Sequence, residues 1–134
     1  MNVNDVAEEI VTQLDTISGL RCHKGPPDSI TPPAGILVLP DAIDFDETYG
    51  RGSDRMSWPL LVVVARVSDR TVMERIGVYC DGSGASSVKA VLEAGTYTAF
   101  HTLRVTRVEF DVLNWQNTDY HAAIFDLDIF GQGS

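Results

Sequence analysis

Basic clusters, long apolar runs and paired cysteines are all missing from this chain of 134 residues. Only 10 Lys and Arg stand against 19 Asp and Glu, a formal net charge of −9, and nowhere do the bases gather. Nucleic-acid affinity rests on Lys and Arg neutralising phosphates, so a stable nucleic-acid complex is not expected. An acidic surface would instead let DNA pass without sticking. No stretch has the roughly 18 consecutive apolar residues of a membrane span, so no membrane association is expected. The opening residues, MNVNDVAEEIV, lack the basic and apolar regions of a signal peptide, so the protein is expected to stay in the cytoplasm that made it, or to leave by a route needing no signal. Cys22 and Cys80 lie far apart and in no paired motif, so free thiols are expected.

Motifs of catalysis are scarce as well. The glycine-rich stretches GRGS (Gly50 to Ser53) and DGSGASS (Asp81 to Ser87) lack the Gly-Lys-Ser/Thr ending that carries a lysine to a phosphate. The second leads into a helix start, where an anion would fit, but helix punctuation explains it equally. His23, His101 and His121 are scattered, and a zinc site needs three or four convergent ligands. Cys22 and His23 are adjacent, and on a strand their side chains would point to opposite faces. Asp126 and Asp128 share one strand face; a solvated outer face accounts for them as well as a cation or acid–base pair does. No catalytic, cofactor-binding or metal-binding residue is assigned, and no enzyme activity is expected.

What is present is a periodic chain of one domain's length, residues 1–134. Hydrophobic residues at 44% and charged residues at 22% argue against disorder. Val3, Val6, Ala7, Ile10, Leu14 and Ile17 repeat at helical spacing, which predicts an amphipathic helix from Val3 to Ile17, capped by Asn2 or Asn4 and ended by Gly19. LRCH is a short strand candidate. KGPPDSITPPAG, with four prolines and two glycines in twelve residues, is a loop.

ILVLP (Ile36 to Pro40) and AIDFDE read as strands, followed by a turn region and a strand from about Met56 to Val67, together a long hairpin. Pro59 predicts an edge or an unpaired position. Ser68 or Asp69 would cap a second helix with Val72, Met73, Ile76, Tyr79 and Cys80 on its apolar face. Ser86 would start a third, with Val88, Val91 and Leu92 inward and Gly95 as its stop.

In TLRVTRVEFDVL, Leu103 and Val105 have one parity and Val108, Phe110 and Val112 the other, so a bulge is predicted near Thr106 and Arg107. HAAIFDLDIF alternates, with Ala123, Phe125, Leu127 and Ile129 on one face. The order α-β-β-β-α-α-β-β predicts an α+β fold: a mainly antiparallel or mixed sheet with helices packed on it and a long hairpin arm.

The stretches PPDSITPPAGILVLP, FDETYGRGSDRMSWPLLVVVARVSDR and YCDGSGASSVKAVLEAGTYTAFHTLRVTRVEFDV resemble the tail terminator family of long-tailed actinobacteriophages, a likeness covering most of the chain from Pro26 onward. It is a likeness of the whole sequence and not a catalytic signature. The resemblance implies a virion protein of the tail and neck, without cofactor: a homo-hexameric ring that caps the tail tube, stops its polymerisation and meets the head–tail connector or stopper protein. DNA would pass through the ring. Another neck role, or a small cytosolic ligand-binding protein or enzyme using the Asp81–Ser87 loop, is the alternative.

On this reading the segment DETYGRGSDRM, Asp46 to Met56, is a projecting hairpin tip that touches a neighbour. Gly50 and Gly52 supply the bend, and mixed charges set register. The expected contact residues are Glu47, Tyr49, Arg51, Asp54 and Arg55. Trp58 and Trp115, near strand ends and turns, are either core residues or further contact residues.

Overall fold

Asn2 sets the first element. Its side-chain oxygen accepts the Asp5 amide at 3.1 Å and caps α1, Val3–Leu14. The computed structural model describes residues 2–17, 19–25, 33–44, 53–68, 70–84, 86–115 and 117–132. Helix α1 buries Val6, Ala7, Ile10 and Leu14, the stripe its spacing dictates. It stops at Leu14, short of the expected Ile17, because the next amides bond three residues back: Thr16 to Gln13 at 3.2 Å and Ile17 to Leu14 at 2.9 Å. Ile17 stays buried all the same. Gly19, at φ +83, makes the left-handed turn into the first strand.

Among the described residues four strands precede the second helix, one more than the expected order, because the LRCH segment does pair. They are β1 (Arg21–Lys24), β2 (Ala34–Leu37), β3 (Ala42–Asp44) and β4 (Ser53–Arg66). Then come α2 (Val72–Tyr79), α3 (Val88–Ala94), β5 (Thr102–Trp115) and β6 (Thr118–Gln132). The strands form one six-stranded sheet in the order β1-β2-β4-β6-β5, with β3 also paired to β4. Only β1 with β2 is parallel. The fold is α+β: a mainly antiparallel sheet whose helical side carries the main core, among them Val6, Ile10, Trp58, Leu92 and Phe125. The other face carries a smaller cluster of Ala34, Ile36, Val63 and Tyr120.

The predicted bulge is present. Val105 pairs with Leu127 and Arg107 with Asp126, so Thr106 is the extra residue. This puts Leu103, Val105 and Val108 all against the main core. Pro59 pairs with Asp126 of β6 on one side. On the other it falls in the gap between the residues bonded to β3 (Arg55 to Ser57) and those bonded to β2 (Leu60 to Val63). A residue with no N–H is tolerated in such a gap.

Two helix caps differ from expectation. Ser87, and not Ser86, caps α3, its hydroxyl accepting from the Ala90 amide at 3.1 Å and donating to the Asp81 carbonyl. Thr71 holds the cap position of α2 without a side-chain capping bond, while Asp69 lies outside the described residues. Gly95 ends α3 as expected. It is required there by space, since an added Cβ would stand 2.6 Å from the Tyr97 hydroxyl.

Glu9 ties α1 to the segment before β5. Its carboxylate accepts from the Thr98 amide at 2.9 Å, the Thr98 hydroxyl at 2.5 Å and the Ala99 amide at 3.0 Å. Burial opposes its ionisation, but the hydroxyl and amide bonds outweigh that and hold its carboxyl below the ordinary value of 4.5. A depressed folded value contributes stability that is fully present above 4.5 and is lost as pH falls through the lowered value. Glu9→Gln should therefore destabilise the protein most above pH 4.5, and the gap to the unaltered protein should narrow in denaturant melts at lower pH. In the same assay Leu14→Ala, at a fully buried position, should cost about 2–5 kcal/mol; a near-zero cost would place α1 outside the core.

Candidate assembly surface

Of the residues expected to touch a neighbour, Asp54, Arg55, Trp58 and Trp115 are described, and they do not share one place. Glu47, Tyr49 and Arg51 lie outside the described residues. Asp54 and Arg55, expected at the projecting tip, belong instead to β4, which starts at Ser53 and not near Met56; both pair with β6, and Arg55 and Met56 pair with β3 as well. Asp54 and Trp58 are buried, at 6% and 2% exposure, so Asp54 does not face outward as a projecting tip would, and Trp58 takes the core place that was one of the two expected for it. The reason is alternation. Asp54, Met56, Trp58 and Leu60 share one parity of β4, and that parity meets the helices. Trp58 lies in mid-strand, where its indole N–H donates to the Val38 carbonyl.

Arg55 has the opposite parity and keeps part of its surface. Its guanidinium grips both oxygens of Asp128 on β6, at 3.0 and 3.1 Å, and its carbon stands 6.0 Å above the Phe130 ring. Asp128, expected on a solvated face, is thus half of an ion pair. Trp115 is half-buried near the hairpin end, packed on the smaller cluster with Leu61 and Leu113. Its indole N–H has no hydrogen-bond partner among the described residues.

Sequence reasoning missed the apolar groups that do reach the surface. Phe110 is 61% exposed, Val112 50% and Met73 84%. They lie around a cleft of about 520 Å³ between α2 and the far half of the β5–β6 hairpin. Phe110 and Val112 have the inward parity, as read from the sequence, but no helix reaches them. Strand β5 has 14 residues and spans about 46 Å at 3.3 Å per residue, whereas α2 has 8 and spans about 12 Å. Met73 lies at the margin of the α2 stripe; Val72, Ile76, Tyr79 and Cys80 pack against the core, and none of the α2 residues is fully buried. Comparing element lengths would have disclosed this patch.

A second apolar cleft, of about 690 Å³, lies at the other side of the sheet, between α1 and the end of β2. Val3, Ala7, Leu37, Val38 and Leu39 line it above Trp58, and Leu39 is 80% exposed.

Ser87 and the two cysteines are held in unreactive states. Ser87 is spent on capping. Burial, with the Asp15 charge and hydrogen bond added, pushes the Cys22 thiol up to about 12; burial alone takes Cys80 to about 11. Thiols of that kind stay protonated at neutral pH and are poor nucleophiles. Among the described residues no three His, Cys, Asp or Glu are grouped to hold a metal ion, and no helix is long and apolar enough to cross a membrane.

The contrast between Trp58 and Phe110 is measurable. Trp58→Ala should cost about 3–5 kcal/mol in urea melts, whereas Phe110→Ser should change stability by less than about 0.5 kcal/mol. A Phe110→Ser variant losing several kcal/mol would make the patch part of the core. No protein-family model matches the chain, and no curated protein matches it.

Proposed function

We propose that the chain is a tail terminator of a long-tailed phage: a structural subunit, without catalysis, that closes into a homo-hexameric ring on the finished tail tube. The ring stops tube polymerisation and offers the head–tail connector or stopper protein its docking surface, and the subunit resides in the virion. The resemblance of the segments from Pro26 onward supports this reading. So does one structural observation: two unlike apolar patches lie on the helical face towards opposite edges of the sheet, Phe110–Val112–Met73 beyond α2 and Val3–Leu39 beside α1. A closed ring uses head-to-tail contacts, in which two different surfaces of each copy meet. A two-fold dimer needs only one. The net charge of −9 suits a ring through which DNA passes without being held.

The α1–β2 cleft favours a second reading, a small protein binding an apolar ligand there, because it is apolar and of ligand size. Mass measurement over a wide concentration range, joined to images of purified tails, separates the two. A six-copy ring at the head end of the tube is the expected result. A strict monomer that is absent from tails would overturn the ring reading, and a different station in the neck would reassign the subunit to connector or stopper.

A further inference from the structure

The sheet ends in two free edges, and their residues match. Among the described residues no strand pairs with the outer edge of β1 or of β5. On the near half of β5 the edge is closed, because the Glu93 carboxylate of α3 accepts the Val105 amide at 3.0 Å. The far half, Val108 to Val112, is open, and Glu109 to Val112 are all exposed. Following paired residues across the sheet, Cys22 stands on the row of Gly35, Val62, Ala123 and Phe110. By the same count Arg21 stands on the row of Asp111, His23 on that of Glu109, and Lys24 on that of Val108.

We propose that β1 of one copy pairs with Val108–Val112 of β5 in the next copy, antiparallel and along these rows, so that the sheet continues from subunit to subunit. Four features of the single chain support it. Counting reversals across β1, β2, β4, β6 and β5, the two edge strands run in opposite directions, so like-oriented neighbours meet antiparallel.

The backbone phase agrees. Arg21 donates to Pro33 and Gly25 to Leu37, which turns Cys22 and Lys24 outward. The Val112 amide is held at 2.7 Å by Asp111 Oδ1, an outward direction shared by alternation with Val108 and Phe110. Cys22 thus meets Phe110, and Lys24 meets Val108, as hydrogen-bonding pairs.

The faces agree too. Cys22 packs on the main core, and Phe110 has the parity of that face. Arg21 and His23 pair with Ala34 and Ile36, which belong to the opposite face, where Asp111 and Glu109 also lie. Finally, the polar groups are complementary: Arg21 meets Asp111 through its second oxygen, and the His23 ring meets Glu109, a carboxylate that also pairs with Arg107 of its own strand. Opposite charges directly across strands stabilise a pair, while like charges there destabilise it. Free edges are templates for strand addition, and a second copy carries the matching strand.

The contact rests on the proposed ring for its closure and is tested separately from it. The full chain carrying Arg21→Cys together with Asp111→Cys is oxidised mildly and run without reductant, beside each single variant. Linked dimers and longer species should dominate for the double variant and be near background for either single one. In a second arm, Glu109→Arg with Asp111→Arg should abolish self-association in mass measurements, and adding Arg21→Asp with His23→Asp should restore it, with melting unchanged in both. Absence of cross-links, or assembly indifferent to the charge swap, would overturn the contact. If a six-copy ring forms regardless, the ring reading survives and only the contact falls. If cross-links and charge rescue appear in assemblies of another number that never join tails, the contact stands and the terminator reading falls.

Discussion

The pairing of β4 with β6 is the constraint on which the other elements depend. It runs from Ser53 opposite Gln132 to Arg66 opposite Tyr120, a ladder that accepts one irregularity near Val64. Strands β2 and β3 have no place except along the outer side of β4, and β5 none except along the outer side of β6. The same ladder aligns Met56, Trp58, Leu60 and Val62 with Ile129, Leu127, Phe125 and Ala123, so two inward faces arrive in register. Helices α1 and α3 cover that platform, and Glu9 and Glu93 fasten them to the start of β5 through backbone amides. Those carboxylates hold strand edges and loops in place.

Much of this architecture is legible in the sequence because period and parity are local properties. The α1 stripe, the alternation of β6 and the phase slip at Thr106 need only the spacing of apolar residues. Boundaries were less legible. The end of α1 depends on whether Thr16 and Ile17 bond three or four residues back, which apolar spacing does not decide. The assembly surface was least legible, for two reasons. The charges of Asp54 and Arg55 suggested a projecting tip, yet their places in β4 follow from pairing with β3 and β6, a long-range property. Phe110 and Val112 were assigned correctly to a face, but whether anything covers that face depends on helix and strand lengths in three dimensions.

The two clefts and the two open edges belong to one geometry. A sheet wider and longer than its helical layer leaves apolar surface on the flanks of that layer. In a lone protein an uncovered patch beside a free strand edge invites aggregation. In the proposed pairing, charged groups on β1 and far β5 moderate that hazard, because copies that approach along the rows bring Arg21 to Asp111.

Chain order adds a temporal consequence. Strand β6 follows every other element in sequence, yet it occupies the interior of the sheet between β4 and β5. While a ribosome is still translating the segment before Thr118, β5 has no strand to lie against, and β4 lacks its longest partner. Contacts between residues as distant as Ser53 and Gln132 carry a large loop-closure cost, so formation of the sheet is slow compared with that of α1. The far edge of β5 becomes a rigid template only after β6 has been made and docked. In the proposed pairing, nascent chains crowded on one message would thereby be kept from templating one another, since the edge that associates exists only once β6 has emerged.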